Sequence, residues 1–453
     1  MRRVVKVSRI RIIITIIVVV LTTLLTGCTG KEPNEIAYVV ALGIDSTDDD
    51  NYKITIQYAN TTQISGGASE SGGKAGSEIV DNVTIEAPNI YAGVGLANNI
   101  VSKSFSMSHA KLIVFSKEIA EKGVKDMIET LVRSEEIRPD VFIAVANTTA
   151  NDYLTSVNPE MEVNPAQYYQ LIYQKNQLVG IPDGQLREFF TGLYTDNYDS
   201  ILPVSGVIEG AGGNSQNDDK GQSKDSQNEG SEGSSESLDS FESKNSDENE
   251  KEKDAEKNTC KYEYDIKNYV GGETAIEKKN KAEAIGAAVF EKDKMVGELG
   301  EVETEICKML KGDYTYSYLT YYNNDTPDIP ITVKTTQQKK PKYKIDTDKK
   351  TVDIELYIES DLYSLPADYN VENKIEDFER NVANYTSSTC TEFINNFTKK
   401  YNSDILKLNE KVKYKFLTNN QYNWFKKNVG WSEYKFSVCT NFKVRRTGLI
   451  VRE

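Results

Sequence analysis

Residues 371–401 read VENKIEDFERNVANYTSSTCTEFINNFTKKY. Within them Ile375, Phe378, Val382, Tyr385, Thr389, Phe393, Phe397 and Tyr401 recur at steps of three and four, the spacing of one helix face. The stretch predicts one long helix from about Val371 to Tyr401. So broad an apolar stripe has to lie against a sheet. An aromatic stripe at this spacing reads as core rather than as a ligand pocket.

The strands for that sheet flank the helix. Downstream, Tyr434, Phe436, Val438, Phe442 and Val444 alternate with Lys435, Ser437, Asn441, Lys443 and Arg445, which is a half-buried strand with one wet face. Upstream, Ile331–Lys334, Lys342–Asp346 and Thr351–Ser360 read as strands. Ala284–Phe290 and Lys294–Leu299 read as a hairpin turned at Lys292-Asp293. Together these define a C-terminal domain over residues 282–450.

The other half of the chain changes period repeatedly. Glu35–Ile44, Tyr52–Tyr58 and Val80–Glu86 are expected strands, the second with Tyr52, Ile54, Ile56 and Tyr58 on one face. Asn89–Lys103 is an expected helix, Met107–Phe115 a strand, and Ser116 the N-cap of a helix buried through Ile119, Val124, Met127, Ile128 and Leu131. Strand Val141–Ala146 and helix Ala150–Val157 follow. This βββαβαβ-like run predicts an N-terminal domain over 28–205, a mixed sheet with helices on one face. The reading leaves room for a separate middle domain over about 165–320. The expected class is therefore α+β: successive mixed-sheet domains with packed helices, a long amphipathic helix in the C-terminal domain and a disordered acidic insert.

That insert is residues 211–258, almost entirely Gly, Ser, Asn, Gln, Asp, Glu and Lys. It has 14 acidic and 6 basic residues, and Leu238 and Phe241 are its only large apolar side chains. Too little apolar surface is present to offset the entropy of ordering.

The beginning of the chain tells where it is held. Arg2, Arg3, Lys6, Arg9 and Arg11 precede the uncharged run Ile12–Leu25, and Leu25-Thr26-Gly27-Cys28 follows. A basic, apolar, small-residue order is the anatomy of a secretory signal. The last four residues match a lipobox, with cleavage between Gly27 and Cys28 and lipid on the Cys28 thiol. Residues 1–27 would be removed, and the diacylglyceryl and N-acyl chains on Cys28 would hold the remainder stably. An uncleaved anchor is the alternative, although a spanning helix wants about 20 apolar residues.

Without residues 1–27 the chain carries a charge of about −20, from −15 for the whole. Anionic headgroups and nucleic acid would both repel such a body on average. Attachment is therefore expected from lipid rather than from a basic patch, with no nucleic-acid partner. Four further cysteines, Cys260, Cys307, Cys390 and Cys439, lie 47, 83 and 49 residues apart, which is neither a metal-ligand spacing nor a redox pair. They are read as mostly buried free thiols, with disulfides the alternative in an exported chain. His109 is the single histidine.

Chemistry-bearing motifs do not emerge. Gly66-Gly67 and Gly72-Gly73 in the Gly/Ser loop Ile64–Glu78 lack the order of a phosphate cradle. Gly93 and Gly95 lack the third glycine of a dinucleotide fingerprint. His-Glu-x-x-His, Gly-x-Ser-x-Gly and Walker patterns are missing, and one histidine cannot fill several acid–base roles. The reading is a binding or assembly protein, not an enzyme, with no catalytic residue, cofactor or metal.

Several segments resemble the Ger(x)C family, lipoprotein subunits of spore germinant receptors. Glu35-Ile36-Ala37 through Ala41-Leu42-Gly43-Ile44-Asp45 resembles the family's opening strand. Ser108-His109-Ala110-Lys111-Leu112-Ile113-Val114 is similar to its Gly-His-x-Lys-x-Ile-Val strand, and Leu131-Val132-Arg133-Ser134-Glu135-Glu136-Ile137-Arg138 to its Leu-x-Arg-Asp-x-Glu-Ile-Arg segment. Ala287-Ala288-Val289-Phe290 with Lys294-Met295-Val296-Gly297 resembles its hairpin, and Lys400-Tyr401-Asn402-Ser403-Asp404-Ile405-Leu406 the end of its long helix. Trp424, Trp431 and Val444-Arg445-Arg446-Thr447-Gly448 fall where late tryptophans and a basic strand occur. Thr29 and Gly30 depart from the tryptophan and aspartate usual after the lipid cysteine. The resemblance implies a subunit lipid-anchored on the outer face of the spore inner membrane, beside multi-spanning membrane subunits and acting in nutrient-triggered germination. Direct contact with a small-molecule germinant is left open. A solute-binding lipoprotein of a transporter and a wall hydrolase are the competing readings.

Overall fold

The computed structural model describes residues 13–17, 35–49, 51–59, 80–159, 162, 164–174, 180–208, 268–274, 280–323, 326–364, 371–401 and 403–447. Gly27, Cys28, the Ile64–Glu78 loop, the 211–258 insert and Cys260 lie outside them. The chain divides into two units, Met1–Tyr173 with Gln185–Phe190, and Gln174–Gly184 with Thr191–Glu453.

In the first unit β1 (Ile36–Ser46), β2 (Tyr52–Ala59) and β3 (Val80–Ala87) are joined by α1 (Ile90–Ala97) to β4 (Ser104–Ser106) and β5 (Leu112–Ser116). Helices α2 (Lys117–Lys122) and α3 (Lys125–Val132), β6 (Phe142–Ala146), α4 (Ala150–Ser156) and α5 (Pro165–Gln174) follow. The sheet order is β3-β2-β1-β5-β6. β1 pairs antiparallel with β2 and parallel with β5, and β5 runs parallel to β6, so the sheet is mixed as expected. The parallel strands β5 and β6 are buried throughout, as strands covered on both faces should be.

Helices cover both faces of this sheet, not one. Gly93 of α1 packs on Ile54, where a Cβ would come within 2.7 Å of the Ile54 side chain. The opposite face carries Gly43, Thr55 and Gln57, and α4 packs there: a Cβ on Gly43 would meet Leu154 and Ala150 at 3.0 and 3.2 Å. The Gln57 amide donates to the Leu154 carbonyl at 2.8 Å. The alternation in β2 hid this, because polar Thr55 and Gln57 are themselves buried.

Two helices differ from the expected lengths. Gly123, at φ 123°, ends α2 and separates it from α3, so the single helix expected after Ser116 is two. α1 stops at Ala97, where the Asn98 side chain accepts the Phe105 N–H at 2.8 Å and starts β4.

The second unit, besides Gln174–Gly184, takes in the latter part of α6 (Leu186–Thr195) and continues through β7 (Ile201–Val207), β8 (Ala282–Glu291) and β9 (Lys294–Leu299). Lys292 turns the β8–β9 hairpin at φ 57°, at the expected place. Gly286, at φ 87°, donates its N–H to the Gly180 carbonyl at 2.7 Å. A Cβ there would sit 2.6 Å from the Leu299 carbonyl oxygen. Next come α7 (Glu301–Lys311), β10 (Tyr316–Asn323), β11 (Thr326–Gln337), β12 (Lys342–Asp346), β13 (Thr351–Ser364), α8 (Val371–Tyr401), α9 (Leu408–Val412), α10 (Asn419–Asn428) and β14 (Lys435–Arg446).

β13 is the spine of a five-stranded sheet. Along one edge it pairs antiparallel with β12 and then β11; along the other it runs parallel to β14 over its length. α8 lies on this sheet, buried through Phe378, Val382, Thr386, Cys390, Ile394 and Phe397. The buried line is thus displaced by one residue from the expected stripe in its middle, and Tyr385, Thr389 and Phe393 form a half-buried shoulder.

The other shoulder of α8 closes the open edge of β14. Asn395 accepts from the Phe436 N–H at 3.1 Å and donates to its carbonyl at 2.9 Å. Thr391 accepts from Val438, Ser387 from Thr440 and Glu379 from Val444, at 2.8–2.9 Å. The match is metric. Four helical residues rise about 6 Å, close to the roughly 6.6 Å spanned by two strand residues. A row of polar side chains spaced by four can therefore follow every second N–H of a strand. Edge groups that would otherwise template pairing are satisfied within the chain.

Candidate functional site

A concave site lies in the second unit, a cavity of about 550 Å³. Its walls come from the end of α6 and the loop after it (Gly192, Asp196, Tyr198, Asp199), the β8–β9 turn (Glu291, Lys292), the segment leaving α8 (Asp404, Asn409), and α10 with its exit (Asn423, Lys426, Lys427, Val429, Trp431).

Asp404 organises this site. Its carboxylate accepts from the N–H groups of Leu408 and Asn409 at 2.7 and 2.8 Å, capping α9 behind Lys407, which takes a left-handed φ of 57°. Its backbone exchanges two bonds with Asp199: the Asp404 N–H donates to the Asp199 carboxylate at 2.8 Å, and the Asp199 N–H to the Asp404 carbonyl at 3.1 Å. Burial pushes the Asp404 carboxyl up to about 7, against the two backbone donors; the Asp199 charge adds to the rise.

Asn409 carries the connection onward. Its side-chain oxygen accepts from the Trp431 indole at 3.2 Å and its carbonyl from the Tyr422 hydroxyl at 3.1 Å. Lys426 donates to the Thr195 carbonyl at 2.8 Å and to Asn197 at 3.1 Å. Trp431 packs between Phe425 and Tyr434, with centroids 6.1 and 4.6 Å away. Asp404 and Trp431, both read from sequence only as parts of a resemblance, are thus brought into one network.

The network's chemistry is support of the loops. Asp199 and Asp404 hold backbone amides, so their oxygens are engaged in positioning loops. Asp196, Glu291, Lys292 and Lys427 place charges of both signs around the cavity. No group of three His, Cys, Asp or Glu side chains suited to a metal occurs among the described residues.

The other residues singled out in the sequence have local roles. Asp45, ending the Gly-Ile-Asp strand, accepts from the N–H groups of Ala150 and Asn151 at 2.6 and 3.0 Å and so caps α4. Burial raises its carboxyl above the ordinary range. Glu136 accepts from the Met107 N–H at 2.6 Å. His109 is exposed, shares a hydrogen bond with the Ser108 hydroxyl at 3.0 Å and meets the Tyr38 ring edge-on at 4.9 Å. Cys307 and Cys390 are buried free thiols and Cys439 is an exposed one.

Another buried carboxyl escaped the sequence reading. Glu305 of α7 is 7% exposed beside Tyr314 and Ser317; burial raises it to about 7, and its Oε1 has no hydrogen-bond partner among the described residues. Lys308, one turn later, donates to the Ile181 carbonyl at 2.9 Å and is lowered to about 8 by burial. Charged residues in the apolar stripe of α7 disguised that helix.

Residues 30–207 match the family domain described as "Spore germination protein N-terminal domain", and residues 285–448 match "Spore germination B3/ GerAC like, C-terminal". These are domains of spore germination proteins. The chain belongs to the Ger(x)C family. Similar proteins include spore germination protein KC of Bacillus subtilis (strain 168), 26% identical over 174 residues, covering 35% of this chain and 42% of that protein. Spore germination protein B3 of the same organism is 26% identical over 148 residues, covering 30% and 36%. The matched stretches span less than half the length of these relatives. The crystal structure of the GerBC protein aligns over 89% of this chain and 96% of that one, at 15% identity and a TM-score of 0.48.

Proposed function

We propose that the chain is a non-enzymatic, lipid-anchored subunit of a germinant receptor complex, needed for nutrient-triggered spore germination. Family membership over residues 30–207 and 285–448 carries this reading. The lipobox Leu25-Thr26-Gly27-Cys28 just before the matched region supports the anchor. No helix among the described residues is long and apolar enough to cross a membrane. In this reading lipid on Cys28 supplies the attachment, on the outer face of the spore inner membrane, and multi-spanning subunits of the complex are the partners. A cavity in which Asp404 and Asp199 hold backbone amides fits assembly better than turnover. The family match weighs against the solute-binding lipoprotein. The test is replacement of the native gene by Cys28→Ala: lipid labelling is lost and nutrient-triggered germination falls. Undiminished germination in spores lacking the protein would sink the proposal.

A further inference from the structure

The strand of chain around α10 exposes apolar side chains on a rigid support. Tyr414 is 80% exposed, Leu417 95% and Trp424 68%; Leu417 and Trp424 line an open groove of about 630 Å³ together with Phe416 and Phe425, whose rings lie 4.9 Å apart. The exposure is not fraying. Thr418 caps α10 by accepting from the Gln421 N–H at 3.3 Å. Tyr422, on the inner face, is buried and bonded to the Asn409 carbonyl, and Lys426 is tied to Thr195. Trp424 is held outward by a helix pinned on its other side.

Charge gives the patch its second property. Between Lys411 and Ser432 the chain has five lysines, at 411, 413, 415, 426 and 427, and no acid, in a protein whose net charge is −15. Lys413, Lys415 and Lys427 are exposed. Lys415 bonds the Ile345 carbonyl and has Asp346 near it, and Glu410 stands at the margin, so the basic field is local. The whole-chain average, which argued for repulsion from anionic headgroups, conceals it.

We infer that this patch is a second point of contact with the membrane: Trp424, Tyr414 and Leu417 enter the interface of an anionic bilayer while Lys413 and Lys427 face lipid phosphates. Tryptophan and tyrosine favour headgroup depth, and lysines near an anionic surface are drawn to it. An apolar patch rimmed by lysine is the corresponding protein surface. The inference rests on the anchored-subunit reading for bringing a bilayer within reach.

The full lipidated chain reconstituted in phosphatidylcholine vesicles, with and without phosphatidylglycerol, tests both separately. Flotation reports the anchor; quenching of tryptophan by bromine on the acyl chains reports the patch. With Trp431 buried, quenching in anionic vesicles should remove roughly the Trp424 half of the emission. It should disappear in Trp424→Ser and weaken in the Lys413→Glu, Lys427→Glu double variant. Protein that floats while Trp424 stays unquenched and open to acrylamide overturns the inference, as does Trp424 shielded only by co-reconstituted membrane subunits. Protein that fails to float overturns the anchor instead, and quenching upon mixing with the same vesicles still decides the patch.

Discussion

The Asn395 carboxamide and the Phe436 backbone bond each other twice, at 3.1 and 2.9 Å, so one helical side chain occupies the place of a neighbouring strand residue. Three more side chains of α8 repeat the contact along β14, which makes the long helix a lateral seal as well as a hydrophobic lid.

Asn395→Leu keeps the bulk and leaves both Phe436 backbone groups without partners. It should lower stability by about 2–3 kcal/mol and speed exchange of the Phe436 amide. Glu392→Ala, on the exposed side of α8, should stay within about 0.5 kcal/mol. Urea unfolding with amide exchange reads both; equal stabilities would remove the sealing role.

Glu305 makes stability fall with rising pH. Its carboxyl is raised from 4.5 to about 7, so the folded chain keeps a proton that the unfolded chain releases. The contribution is complete below about pH 4.5, declines towards pH 7 and is absent above it. A shift of this size corresponds to about 3 kcal/mol. Glu305→Gln should melt several degrees higher at pH 8 and show a shallower slope between pH 5 and 8. Asp404, raised in the same direction, keeps the slope from vanishing. Calorimetry across that range checks it, and an unchanged slope would reject it.

Thiol reactivity should separate three cysteines. Burial pushes Cys307 up to about 11 and Cys390 to about 12, whereas Cys439 is exposed on β14. In a Cys260→Ser background a maleimide should label Cys439 within minutes at pH 7.5 and reach the other two only on unfolding. Peptide mapping gives the answer, and early labelling of Cys390 would contradict the packing of α8.

Local patterns made β1, β2, β3, β6, the β8–β9 hairpin and α8 legible, because each carries its own apolar period; of the strand expected over Met107–Phe115 only the part from Leu112 forms, and β4 was not expected. α7 was not legible, since Glu305 and Lys308 interrupt its buried face, and neither was α10, whose run of Asn, Gln and Lys hides one inward tyrosine. The both-sided cover of β2 escaped because Thr55 and Gln57 look like a wet face. The site was legible only as motif fragments. Asp404 meets Asp199 across 205 positions, and no spacing rule in a single sequence reaches that far.

The bond from Ala150 to Asp45 closes a span of 105 residues. β1 is the first strand of its sheet to be made and sits between β2 and β5, yet its last residue finds its partners only when α4 exists. Non-local closure of this kind slows folding. A chain emerging N-terminus first has about a hundred further residues to release before the Asp45 carboxylate at that end of β1 meets its backbone partners.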